Sequence, residues 1–354
     1  MVYFVNIFFI FLWAFVLLKR NTNQTKKKVY CIIVALQWIL ISGLRHLSVG
    51  EDTDDYYFAF ENGKNISWNV ILSNCWDYLF GGIETKDPGY YLFQKIFQIF
   101  SDNYQLYLFV IAIMFTGLMA RWIYKYSSMP ELSFLVYSVL FYSFYSLTGH
   151  RQTIATALIF FLGYEYAKDK KFIKFAIVAF VAFMIHKSSL VFIPYLFIAN
   201  IAITPVYVGV MSAVILLVTV LGDALYAPIA FFFGFGEEQI YYDGGGTSTF
   251  TLLMIIVCAV SFVLYPWVSK RREDAKNIYN LLFMTLMTTL LVMQQQSFMR
   301  VQQYYSMVIM LVIPEMVLSI KKEYRTAIYI LGCCVMIAFL ISTNPHYKFC
   351  WQIG

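Results

Sequence analysis

Four cationic side chains stand where apolar runs begin or end: Arg45, Arg151, Lys187 and Arg300. Each has polar company. His46 follows Arg45, His150 precedes Arg151, His186 precedes Lys187, and Gln302, Gln303 and Tyr304 follow Arg300. A guanidinium fork matches phosphate oxygens two at a time, and a lysine ammonium acts as a point charge. Histidine changes charge near neutral pH, so it can take up or release a proton. A ring of these groups at one membrane surface suits an anionic lipid head such as a lipid-linked diphosphate. For any one of them, a long side chain reaching for lipid headgroups is an equally good reading. For all four together with the histidines it is the weaker one.

An acidic run follows Arg45: Glu51-Asp52-Thr53-Asp54-Asp55, then Tyr56 and Tyr57. Crowded carboxylates raise one another's pKa, which suits a general base. For an arbitrary loop a solvated acidic turn is the commoner meaning. Asp52 and Asp54 are spaced as a D-x-D, which alone does not specify a divalent metal, and no cofactor is expected. Further on, Lys86-Asp87-Pro88-Gly89-Tyr90-Tyr91 reads as a turn entering a helix, with Asp87 as its cap. Gln294, Gln295 and Gln296 precede Arg300, and so many amides near a span end should line a wet cavity or bond to neighbouring helices.

The elements that carry these residues must be membrane helices. The chain has 354 residues, of which 60% are hydrophobic and 13% charged. Soluble domains run near 45–50% apolar and about 25% charged, so a soluble enzyme, a nucleic-acid binder and a disordered chain are excluded. Apolar runs fall at about 2–18, 29–43, 104–120, 132–148, 152–167, 172–186, 188–200, 205–222, 249–268, 278–297, 302–319 and 326–343. The reading is an all-α polytopic membrane protein with about twelve spans, range ten to thirteen. The run 188–200 is too short for a full span and reads as a half-helix or part of a broken one. Eighteen of the 26 Lys and Arg residues fall on one side of this arrangement, in clusters such as Lys19-Arg20, Lys168–Lys174 and Lys270–Lys276. By the positive-inside rule that side is cytoplasmic, and both termini then face out.

The whole of 1–354 reads as a single transmembrane domain with two long outer segments. Residues 44–103 hold the acidic run and an interfacial helix at Tyr90–Phe100. Residues 223–248 hold four acids, no base and a Gly244-Gly245-Gly246 tip. No GxxxxGKS loop occurs, which argues against a nucleotide-powered pump. Of six cysteines, Cys75 and Cys350 fall in outer segments and read as unpaired thiols. Glu165 and Glu315 lie towards cytoplasmic span ends and read as structural.

The motifs together resemble the EpsG-like bacterial polysaccharide polymerases, which belong with the wider Wzy-type polymerases. Arg45 followed by Gly50-x-Asp52-x-x-x-Tyr56 and then Pro88-Gly89-Tyr90 resembles the family's first outer loop. His150-Arg151-Gln152-x-Ile154-Ala155 resembles its Arg-Gln helix start, and Ile185-His186-Lys187-Ser188-Ser189 its Ile-His-x-Ser-Ala motif. Arg300-Val301-x-x-Tyr304 resembles its late Arg-x-x-x-Tyr. Glu51 and Ser189 depart from the family pattern, standing where a small residue and Ala are usual. The resemblance implies a glycosyltransferase-C-like helical bundle in the bacterial cytoplasmic membrane. It also implies undecaprenyl-diphosphate-linked glycans as donor and acceptor, for capsule, O-antigen or exopolysaccharide. A chain-length regulator and a flippase of the same pathway would be further partners, and nucleic acid is not one.

In such a reaction a sugar hydroxyl attacks the anomeric carbon of a chain carried on a lipid diphosphate. Arg151, Arg300 and Arg45, supported by Lys187, are the candidates to hold the leaving diphosphate. Asp52 is the first choice of base and His186 the second. His150, Tyr56, Tyr90, Gln152 and Tyr304 are expected to bind substrate. A lipid-linked oligosaccharide flippase, a glycan ligase and a membrane acyltransferase are the rival readings. The flippase is disfavoured by the absence of internal repeats, and the acyltransferase by four histidines on the outer side.

Overall fold

The computed structural model describes residues 1–18, 23–81, 86–233 and 248–352. Lys19, Arg20, Tyr241, Tyr242 and the glycine tip at 244–246 lie outside the described residues. Regular structure among the described residues is helical, apart from one isolated antiparallel bridge between Arg45 and Phe349. The helices are α1 Val2–Leu17, α2 Gln24–Gly43, α3 Thr53–Gly63, α4 Trp68–Trp76, α5 Pro88–Gln98, α6 Tyr104–Tyr126, α7 Pro130–Leu140, α8 His150–Thr156 and α9 Gly163–Lys168. They continue as α10 Phe172–Ile185, α11 Ile193–Ile198, α12 Pro205–Val220, α13 Gly222–Phe233, α14 Thr249–Ser269, α15 Ala275–Gln294, α16 Met299–Ser306, α17 Ile309–Ser319 and α18 Lys322–Ser342.

Local chemistry sets many of these starts. The side chains of Asn23, Asn103, Thr204 and Ser248 each accept from a backbone N–H in the first turn of α2, α6, α12 and α14. Pro205 then opens α12 at a position where a missing N–H costs nothing. Among the described residues, four helices are long and apolar enough to cross a bilayer: α6, α14, α15 and α18. Gln296–Ser306 and Ile309–Ser319 pass as a fifth if that pair, bent by 64°, is one broken span. Apolar helices of 10–17 residues fill most of the remaining expected runs. The chain is therefore a helical membrane protein.

Two elements differ from the sequence reading and one matches it. Run 302–319 is not one straight helix but bends by 64° at a break between Ser306 and Ile309. Run 188–200 is the short, broken element expected: a 3-10 turn, Lys187–Phe192, followed by the short α11. The second outer segment opens with a helix, α13, because Gly222–Phe233 is still apolar enough to pack beside α12 and α15.

Packing is aromatic throughout. Trp38 of α2 lies against Tyr137 at 5.2 Å, and its indole N–H donates to the Ser138 hydroxyl at 3.2 Å. At one end of the bundle, Glu165 binds Arg121 at 2.9 Å and Lys125 at 2.8 Å, and Glu315 binds Arg271 at 2.9 Å and Arg272 at 3.0 Å. Both glutamates thus tie helix ends together. At the other end the tail pairs with the segment after α2: the His46 N–H donates to Lys348 O and the Cys350 N–H to Leu44 O. The Tyr3 hydroxyl donates to His346 O at 3.3 Å, so the start of α1 joins the same seam. Cys75 and Cys350 are both free thiols.

Candidate active site

Four irregular points in the backbone converge at that second end. Short π-helical segments, Ser143–Thr148 and Ala157–Leu162, flank α8 and set the pitch at which His150 and Arg151 leave the helix. α10 stops at Ile185, and His186 is extended (φ −158°, ψ 110°) before the 3-10 turn. α15 stops at Gln294, Gln295 is extended, and a 3-10 turn at Gln296–Phe298 leads to Arg300. Asp52 stands at the N-terminus of α3 without capping it through its side chain.

Together these segments enclose a cavity of about 660 Å³. Its cationic wall is Lys86, Arg151 and Arg300 with the His186 imidazole beside them, and Glu51, Asp52 and Tyr56 line it as well. Gln152, Gln296 and Gln303 supply amides. The Gln152 amide donates to Arg300 O at 2.7 Å, which fastens the late helix break to α8. Of the residues singled out by sequence, Asp52, Tyr56, Arg151, Gln152, His186 and Arg300 therefore share one cavity. Asp54 is exposed and does not line it, and among the described residues no three His, Cys, Asp or Glu side chains converge on a metal-sized site.

Behind the cationic wall sits an anion that the sequence reading took for a helix cap. Asp87 is only 3% exposed, has left-handed backbone (φ 53°, ψ 52°), and makes no side-chain capping bond. Its Oδ2 accepts from Arg151 Nη1 at 2.9 Å and lies 3.0 Å from His186 Nδ1, while Oδ1 accepts from the Lys187 N–H at 3.2 Å. Burial pushes this carboxyl up, but His186, Arg151 and the Lys187 N–H together outweigh it and hold the group below its ordinary value. Lys86 beside it is pushed down by partial burial and by the charge of Arg151. Lys86, Asp87 and Glu51 are the residues whose part the sequence reading missed. Nothing in the local sequence signals this: proline commonly opens a helix, and the residue before it is ordinarily the cap.

Gly89 allows this arrangement. A Cβ there would lie 2.6 Å from Met184 O, so α5 can start hard against the end of α10 only with glycine. Its function is close approach rather than turn chemistry. Gly50 is the parallel case: φ is +99°, and a Cβ would lie 2.3 Å from Leu147 O.

Four expected substrate contacts lie in a second layer instead. Arg45, Tyr90, His150 and Tyr304 are each no more than 2% exposed and do not line the cavity. Arg45 Nη2 lies 2.8 Å from His150 Nε2. A guanidinium can only donate, so that nitrogen accepts and the His150 proton sits on Nδ1, 3.4 Å from the Tyr90 hydroxyl. Tyr56 stacks on the His150 ring at 4.2 Å and 12°, and Arg151 lies over the other ring partner, Tyr56, at 5.8 Å. The Tyr304 hydroxyl bonds Ser188 at 3.1 Å. This layer fixes the rings and forks that do reach the cavity. Lys187 contributes its backbone N–H to Asp87 and is not among the cavity's lining residues.

Comparison with known proteins gives one family. A family model described as the EpsG family matches residues 28–349. No curated protein and no solved structure matches the chain.

Proposed function

Because the chain belongs to the EpsG family, a family of Wzy-like polysaccharide polymerases, we propose that it extends a glycan carried on a lipid diphosphate at the outer face of the bacterial cytoplasmic membrane. The observation that carries the reading is the single cavity lined by Lys86, Arg151 and Arg300 together with Glu51 and Asp52. In this reading the cationic wall holds the donor's diphosphate. As the anomeric C–O bond breaks, negative charge grows on the leaving oxygen, and fixed positive charge there lowers the barrier. Undecaprenyl is the carrier expected of the family.

The acceptor hydroxyl must give up a proton as its oxygen bonds to the anomeric carbon. His186 is the better placed of the two candidate bases. Its Nδ1–H points at Asp87, which leaves the Nε2 lone pair for the cavity. This is the arrangement in which a carboxylate orients an imidazole and stabilises the cation it becomes. Asp52, an exposed residue lining the same cavity, then orients acceptor hydroxyls with Glu51 and the Tyr56 ring.

The test is chain elongation in membranes supplied with lipid-diphosphate-linked repeat units. The wild type should give a ladder on gels. Arg151→Ala and Arg300→Ala should each leave the single repeat unit, with rates down roughly 10²- to 10³-fold, while the protein still inserts. A normal ladder from either variant removes that residue from the diphosphate site. Loss of all surface glycan on gene deletion, with lipid-linked units trapped inside, would point to a flippase instead.

A further inference from the structure

A second polar cavity, about 600 Å³ in volume, lies at the end of the bundle away from Arg151 and Arg300. The two sit at opposite ends of α15, whose 20 residues span about 30 Å at 1.5 Å per residue. Five cations line it. Lys125 comes from the end of α6, Lys168 from the end of α9, Arg271 and Arg272 from the turn between α14 and α15, and Lys276 from the first turn of α15. Two carboxylates, Glu273 and Asp274, accompany them.

These charges are not equally available. Lys125 is held by Glu165 at 2.8 Å. Arg272 is held by Glu315 at 3.0 Å and grips Asp274 through Nε and Nη2, at 2.8 and 2.9 Å. That grip spends the Asp274 carboxylate, which makes no bond to the first turn of α15, so the positive end of this helix is left without a side-chain cap. Arg271 bonds to Glu315 and Ser319 through Nη2 alone, which leaves Nη1 and Nε. Lys168 meets one carboxylate, Asp169, at 3.8 Å. Lys276 is half-buried and makes no hydrogen bond or ion pair among the described residues. Taking a charge out of water without a partner is costly, and a bound anion removes that cost.

Depth decides which anion. α6, α14 and α15 are all of membrane length, and the cavity lies where α6 and α14 end and α15 begins. Trp267 stands four residues before Arg271 and Phe172 four after Lys168, and both rings are more than half exposed. Exposed rings at helix ends belong to the membrane interface. Basic pockets between membrane helices at that level take anionic head groups. We propose that this cavity binds the headgroup phosphate of an anionic phospholipid through Lys168, Arg271 and Lys276. The site is independent of the reaction proposed above and of its substrate. In the orientation expected from the charge count, the lipid belongs to the cytoplasmic leaflet.

The experiment is native mass spectrometry of the purified full chain, titrated in detergent with phosphatidylglycerol or phosphatidylcholine. The first phosphatidylglycerol adduct should half-saturate at a concentration about tenfold below that for phosphatidylcholine. Lys168→Gln combined with Lys276→Gln should raise that concentration about tenfold. Lys276→Arg keeps the charge and should bind as the wild type does, as should Lys322→Gln, at the same end but outside the cavity. Equal retention of the two lipids by the wild type, or an unchanged half-saturation in the double variant, overturns the proposal. So does displacement of phosphatidylglycerol by soluble glycerol phosphate at the same concentration, which would assign these cations to a free phosphate.

Discussion

Asp87 joins three groups that the sequence separates by 64, 99 and 100 positions. Local spacing carries no trace of such pairs, which is why its sequence neighbours Pro88 and Gly89 suggested a cap instead. Asp87→Asn keeps the shape and removes the charge. Elongation should then fall roughly 10²-fold or more, with a displaced pH–rate profile, because His186 loses the carboxylate that stabilises its protonated form. An unchanged profile would assign the proton transfer to Asp52. The sign of the stability effect also follows. The folded carboxyl lies below its ordinary 3.8, so its contribution is complete at neutral pH and is lost only as pH falls through the depressed value. Thermal stability in detergent should therefore show no loss from this group between about pH 7 and about pH 5.

Helix placement was largely legible because the bilayer demands apolar runs, and α6, α14, α15 and α18 follow theirs closely. The breaks were less legible. The 64° bend before Ile309, the π-helical segments beside α8 and the extended His186 are set by tertiary contacts that hydropathy does not record. These breaks aim Arg151, His186 and Arg300, and the motif residues could be named without knowing which would face the cavity and which would be buried behind it. The contact between α5 and α10 tests the element scale. Gly89→Ala drives a methyl into Met184 O and should cost about 1–3 kcal/mol, read as a lower unfolding temperature together with lost elongation. Gly117 faces open space, so Gly117→Ala should be tolerated or slightly stabilising in the same assay.

At the scale of the molecule, the chemistry proposed for one end depends on clamps at both. Glu315 is buried between Arg271 and Arg272 at the end away from the cavity. Glu315→Gln takes the anion from Arg271 while Arg272 keeps Asp274 at 2.8 Å, and should destabilise by about 1.5–3 kcal/mol. Protein that survives should still elongate glycan at a normal initial rate, because no cavity residue has moved. The seam at the opposite end works differently. Residues 346–350 hold the backbone on either side of Arg45, and Arg45 dictates which nitrogen of His150 carries its hydrogen. Fusions or truncations near the carboxyl end, routinely treated as harmless handles, would here tug on the ring against which Tyr56 rests.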